Sequence, residues 1–156
     1  MRVKVFWALF LLVITLASGC AAQPAQAVKI AFIGPLSGPN RAVGVGARNS
    51  FELKVNEVLA EKDYPYNIEV VYLDDASDVQ TGKDVVQQAC DDGDIVAAGA
   101  HWNSPVALAT VDLFHACGLM EILWGTVHRD IIYSNDYQTK ARILPTSIQF
   151  NEMGAE

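Results

Sequence analysis

The strongest constraint on this chain is an alternation. Short apolar runs of β-forming residues are separated by stretches whose apolar positions recur at helical spacing. The runs are residues 29–33 (KIAFI), 68–73 (IEVVYL), 95–98 (IVAA) and 119–124 (LMEILW). Mostly apolar runs of this length predict strands buried within a sheet. Residues 47–60 carry Phe51, Val55, Val58 and Leu59 on one helical face. Residues 78–90 do the same with Val79, Val86, Ala89 and Cys90, with Ser77 or Asp78 as N-cap and Asp91-Asp92-Gly93 as the stop. Ser104-Pro105 opens a third helix, with Ser104 as N-cap and Pro105 at the first helical position; Leu108, Val111, Phe114 and Cys117 give its stripe, and Gly118 ends it. Residues 125–141 read as a loop with one helical turn, and 141–144 as a fifth strand. Alternation at this spacing implies βαβ units and a doubly wound parallel sheet in a three-layer αβα arrangement. Glu121 runs against it, because a carboxylate in the middle of a doubly covered strand has no ready partner.

In such a sheet, ligands bind beyond the carboxyl ends of the strands. That selects the loops at 34–44, 74–78, 100–105 and 124–128. The glycines after the first strand do not form a dinucleotide fingerprint. Their spacing is wrong, prolines remove backbone donors, and no P-loop lysine follows. Asp74, Asp75 and Asp78 suit a cation site or, more simply, a strand end and a helix N-terminus that favour carboxylates. His101, His115 and His128 lack zinc spacing. His115 falls inside a helix as a surface residue, whereas His101 and His128 fall in strand-end loops where they can line a cleft. No serine sits in a nucleophile elbow. Ser104 is the strongest single candidate: a hydroxyl at a helix start, with free amides behind it, is an anion seat. Gly125-Thr126 adds a close backbone approach and a second hydroxyl. The pattern is that of a binding protein, with no catalytic set, metal or cofactor.

Hydrophobic residues make up 51% of the 156, but part of that excess is set aside by the N-terminus. Arg2 and Lys4 precede a 12-residue apolar run, residues 5–16, which ends in Leu16-Ala17-Ser18-Gly19-Cys20. The run is too short for a membrane span of about 20 residues and fits a signal peptide over 1–19. Small residues before a cysteine resemble a bacterial lipobox, which makes Cys20 a lipidation site and 20–27 a tether. Cleavage after Ala27 is the alternative. Loss of Arg2 and Lys4 leaves 9 basic residues against 18 acidic ones, a net charge of −9. So acidic a body argues against nucleic acid and against a polybasic membrane patch. With Cys20 lipidated, Cys90 and Cys117 remain as a disulfide pair or as two buried thiols.

Taken in order, these residues resemble the leucine/isoleucine/valine-binding proteins, the type 1 periplasmic solute receptors. Residues 29–39 (KIAFIGPLSGP) are similar to that family's first strand and loop. Gly44, Asn56, Asp74-Asp75, Ser104, Trp124-Gly125-Thr126 and residues 142–147 (RILPTS) follow in the family's order. The resemblance implies an extracytoplasmic solute-binding component of an ABC transporter, taking branched-chain or related amino acids and amides and delivering them to an ABC permease. It implies ligand contacts at Ser104, Gly125 and Thr126, with His101 and Trp102 shaping the wall. Three departures stand out. Val43 occupies a position that often carries an aromatic ring, and Ser77 and Asn103 replace a cysteine pair of some members. The chain stops at Glu156, where the family crosses into a second lobe. Residues 28–156 are then the N-terminal lobe alone, with millimolar binding or none. The rival readings are a sensor ectodomain, a hydrolase or nucleotide enzyme, and a non-functional gene fragment.

Overall fold

The structure, a computed structural model, describes residues 26–153. Among them, five strands alternate with five helices: β1 (Ala27–Gly34), α1 (Arg41–Glu61), β2 (Asn67–Asp74), α2 (Val79–Asp91), β3 (Ile95–Gly99), α3 (Ser104–Cys117), β4 (Met120–Leu123), α4 (Asp130–Tyr133), β5 (Lys140–Arg142) and α5 (Ser147–Met153). The expected signal peptide, Cys20 and most of the tether lie outside the described residues.

All strand pairs are parallel, in the order β2-β1-β3-β4-β5. The connection from β1 leaves to one side and that from β2 crosses to the other, so the chain reverses direction at the β1/β3 border. This is the doubly wound α/β fold that the alternation predicts. Period-2 geometry divides β1 between two layers. Ala31 and Ile33 face Val86 and Ala89 of α2, Phe114 of α3 and Ala98 of β3 in the main core. Phe32 faces the other way and meets Phe51 of α1, ring centroids 5.6 Å apart. A smaller cluster of Ala107, Leu123 and Ile131 ties α3 and α4 to β4.

Helix boundaries differ from the sequence reading in one instructive place. The first helix was expected over residues 47–60, yet α1 begins at Arg41. Gly44 is buried inside the helix, where a Cβ would sit 1.9 Å from the Pro35 carbonyl oxygen. Glycine here permits a close helix–loop approach and makes no turn. Of the two caps proposed for α2, Asp78 serves: its carboxylate accepts from the Thr81 amide at 2.8 Å. Gly118 ends α3 in the left-handed region at φ 73°. The last two strands are shorter than expected, β4 spanning Met120–Leu123 and β5 Lys140–Arg142.

Cys90 and Cys117 are joined by a disulfide. It links the C-terminal ends of α2 and α3, at the pole of the sheet away from the strand C-termini.

Glu121 is the anomaly that the sequence flagged. Its side chain is fully buried on the α3 side of β4, and neither carboxylate oxygen has a hydrogen-bond partner. Burial pushes its pKa from 4.5 to about 8, against the pull of the Lys140 charge on β5. The register pairs Glu121 with Lys140. The lysine nevertheless spends its ammonium on the Ile131 carbonyl at 2.8 Å and on Asn135.

Candidate functional site at the strand C-termini

Four turns converge where the parallel strands end, and each is fixed by a named contact. Asp74, the last residue of β2, accepts from three amides with one oxygen: Leu36 at 2.8 Å, Ser37 at 3.2 Å and Ala76 at 2.9 Å. Burial alone raises its pKa; the hydrogen bonds from Ser37, Ala76 and Leu36 outweigh it and hold the carboxyl below its ordinary value. Asn40 donates to the Ser77 hydroxyl at 2.9 Å. Together these bonds lock the turn after β1 to the turn after β2. Ala76 and Ser77 adopt left-handed φ of 49° and 59°, a conformation that costs a non-glycine residue of order 1 kcal/mol or more and is held here by the Asp74 and Asp75 side chains.

The other two turns are joined by backbone and hydroxyl contacts. The Gly125 amide donates to the His101 carbonyl at 3.1 Å. A Cβ at Gly125 would lie 2.7 Å from the Trp102 ring and 2.8 Å from Trp102 Cα. Position 125 therefore has room only for glycine, and the half-buried Trp102 is seated on it. The Ser104 hydroxyl oxygen accepts from the Val127 amide at 3.3 Å and the His128 amide at 3.4 Å. Ser104, Gly125 and Thr126 are thus neighbours in space, although the chain separates them by some 20 residues.

Two expectations are corrected. Ser104 is not the N-cap of α3. It is the first helical residue, Asn103 holds the cap position, and no side chain caps the helix. The hydroxyl bridges to the 127–128 backbone instead, and its proton is not used in either bond. His101 does not line the wall. Its ring is completely buried, with Nδ1 2.8 Å from Asp75 and Nε2 3.1 Å from the Thr110 hydroxyl. Thr110 in turn donates to the Val106 carbonyl at 2.9 Å. Asp75–His101–Thr110 is a buried clamp that fixes the turn before α3 from behind. The sequence carried a signal for it: Thr110 is a hydroxyl on an otherwise apolar helix face, and a buried hydroxyl needs a partner.

Of the remaining histidines, His128 is exposed and accepts the Asp130 amide through Nδ1 at 3.3 Å. His115 lies on the surface as expected, stacked on Tyr137.

Two polar atoms at this rim are buried and unpartnered: Asn103 Oδ1 and Thr126 Oγ1. Both flank the start of α3, where Pro105 has no N–H and the first-turn amides lack helical acceptors. The rim therefore offers a hydroxyl proton at Ser104 and first-turn amides; Thr126, expected as a ligand contact, is wholly buried like His101 and presents no surface to a solute. Such a set suits the anionic group of a small solute.

The profile of a family described as periplasmic binding protein matches residues 27–135. Curated proteins gave no match. Similar solved structures include a putative branched-chain amino acid ABC transporter from Rhodospirillum rubrum (18% identity, TM-score 0.71, covering 83% of this chain and 39% of that one). Another is a branched-chain amino acid transporter substrate-binding protein from Streptococcus pneumoniae in complex with isoleucine (21%, TM-score 0.70, 78% and 34%). A third is an ABC transporter solute-binding protein from Rhodopseudomonas palustris in complex with 3,4-dihydroxybenzoic acid (22%, TM-score 0.68, 77% and 32%). The chain spans about a third of the length of these structures.

Proposed function

Because this chain belongs to the periplasmic binding protein family, we propose that it is the first lobe of an extracytoplasmic solute receptor of an ABC transporter. Its solutes are branched-chain or related amino acids and amides. In this reading Ser104 and the first-turn amides of α3 hold the ligand carboxylate. The Gly125 carbonyl takes its ammonium, Trp102 forms the wall, and the wholly buried Thr126 lies behind that turn. His101 touches no ligand; through Asp75 and Thr110 it holds the turn that presents Trp102, Asn103 and Ser104. A lipid on Cys20 anchors the receptor beside its permease, and a second lobe completes the pocket. No catalysis is assigned to the rim.

One observation carries the proposal. The Ser104 hydroxyl, whose proton is unused, stands in the first turn of α3, and no side chain caps the amides of that turn. These donors are satisfied by an anionic group of a bound solute. Capture by one lobe leaves half the ligand in water, where most of a bound ligand's surface should be covered. Affinity in the millimolar range follows. The test is a nuclear magnetic resonance titration of the isotopically labelled chain with leucine, isoleucine and valine. Amide shifts confined to 103–107 and 125–128, lost in Ser104→Ala, support the proposal. Micromolar affinity contradicts the half-site, and shifts elsewhere contradict the location.

A further inference from the structure

We infer that the Cys90–Cys117 disulfide is an exchange site: a dithiol of neutral or positive charge reduces it, entering at Cys117. The inference is independent of the solute assignment above. The bond joins two unequal ends. Cys90, near the end of α2, is half-buried and packs against the main core. Cys117, the last residue of α3, is exposed. Both line an open cleft of about 340 Å³ at the pole where the strands begin. Gly93 and Gly118 are in the same lining, and a Cβ at either would meet no atom within 4 Å. Val96, also in the lining, is exposed. The space beside the sulfurs is therefore open to a second molecule.

Exchange begins when a thiolate attacks one sulfur and the other leaves, and access decides which sulfur is attacked. Here the exposed one is Cys117. The incoming sulfur bonds to Cys117 Sγ, the S–S bond breaks, and its electron pair leaves on Cys90 Sγ, which takes up a proton. The second thiolate of the dithiol then attacks the incoming sulfur. Cys117 departs as a thiolate and is protonated in turn. The dithiol is oxidised to a disulfide, and the cysteine pair is reduced by the electrons it gives up. Acceptors for both new S–H groups are in place. The Leu113 carbonyl oxygen lies 3.9 Å from Cys90 Sγ, and that of Phe114 lies 3.6 Å from Cys117 Sγ.

Charge at the cleft selects the thiol. α2 and α3 both end here, each presenting the negative end of its dipole. α2 has no basic residue in its last turn, and Asp91, Asp92 and Asp94 cluster at its end. Against them stands Lys29, whose ammonium is 2.9 Å from Asp92 and 3.4 Å from Asp94. Three carboxylates around one ammonium leave the mouth negative. A thiol that carries an anionic group is repelled, and one that carries an ammonium is drawn in. Opening the bond also reaches the candidate site. α2 starts beside the Ser77 turn and α3 starts at Ser104, so the disulfide ties the far ends of the two helices that frame the rim.

The test treats the full chain with cysteamine and, separately, with mercaptoethanesulfonate, thiols of matched length and opposite charge. Samples are quenched in acid, alkylated and mapped by mass spectrometry, and rates are compared per thiolate. The first adduct should sit on Cys117, with Cys90 alkylated. At low ionic strength cysteamine should react about five-fold faster or more. The advantage should fade in salt of about 1 M, where the screening length is about 3 Å. Asp92→Asn keeps the oxygen that accepts the Asp94 amide and should narrow the ratio. Dithiothreitol, a neutral dithiol, should release both thiols. An adduct mainly on Cys90, or a rate ratio near one, overturns the inference. So does a rate that climbs in dilute urea, which marks attack on the unfolded chain, or a bond that survives all three reagents in the folded protein.

Discussion

Replacing Glu121 by glutamine should remove a pH dependence of stability that the buried carboxyl imposes on the whole fold. The side chain has no exposed surface and no hydrogen-bond partner for either oxygen, and its pKa rises from 4.5 to about 8 through burial. The folded state therefore keeps a proton that the unfolded state releases. Because the folded pKa is the higher one, the contribution to stability is fully present below pH 4.5. It is lost as pH rises, until Glu121 ionises in the folded state near pH 8. Each pH unit in that window removes about 1.4 kcal/mol, so the full span corresponds to about 5 kcal/mol. Between pH 5 and pH 8 the change is about 4 kcal/mol. Glutamine keeps the shape and cannot ionise. Its unpaired amide adds a cost of about 1–3 kcal/mol, but that cost is the same at every pH and cancels in the comparison. The assay is urea denaturation followed by circular dichroism, on both proteins, at pH 5, 6, 7 and 8 and constant ionic strength. The variant should gain on the parent steadily, by about 4 kcal/mol over the series. Parallel curves would refute the reasoning, because they would mean that Glu121 is ionised in the folded state and that Lys140 turns to meet it.

Other perturbations test the rim and its supports. Gly125→Ala drives a Cβ to 2.8 Å from Trp102 Cα, which cannot move aside as a side-chain tip can. A loss of about 2 kcal/mol in chemical denaturation is expected, together with loss of the leucine-induced shifts. His101→Phe fills the space but leaves Asp75 and the Thr110 hydroxyl without the ring nitrogens they contact. Destabilisation of about 3 kcal/mol should appear in the same assay. Reduction of Cys90–Cys117 reopens a loop of 27 residues. The chain-entropy relation then gives a loss of about 3.5 kcal/mol, seen as a lower melting temperature with reductant and absent in a Cys90→Ala/Cys117→Ala double variant.

Strand and helix order was readable because the two periodicities alternate cleanly, and because each turn carries its own punctuation, from Gly34-Pro35 to Asp91-Asp92-Gly93. The start of α1 was misread because glycine has two uses. Gly44 looked like loop material, whereas it gives the helix room against the Pro35 carbonyl. At the rim, the position of Ser104 after β3 followed from the parallel topology. Its role did not, since the atom that Ser104 meets belongs to residues 127 and 128 and only tertiary structure brings them together. His101 shows the same limit. A histidine in a strand-end loop can face a cleft or turn inward, and the partners that draw it inward, Asp75 and Thr110, stand 26 and 9 residues away in the chain. Glu121 was visible as a conflict from its position alone; that no partner resolves it depends on where the tertiary structure sends the Lys140 ammonium.

The convergence of Leu36, Ser37 and Ala76 on one oxygen of Asp74 has a consequence for how this surface can diversify. All three donors are main-chain N–H groups, which every residue except proline possesses. Drift at positions 36 and 37 can recolour the mouth, altering its charge or bulk, without loosening the girdle beneath, whereas position 76 is also held to residues that tolerate its left-handed φ of 49°. Selection then concentrates on a single carboxylate and on the exclusion of proline from three sites, and new solute preferences become reachable by substitutions that leave the scaffold intact.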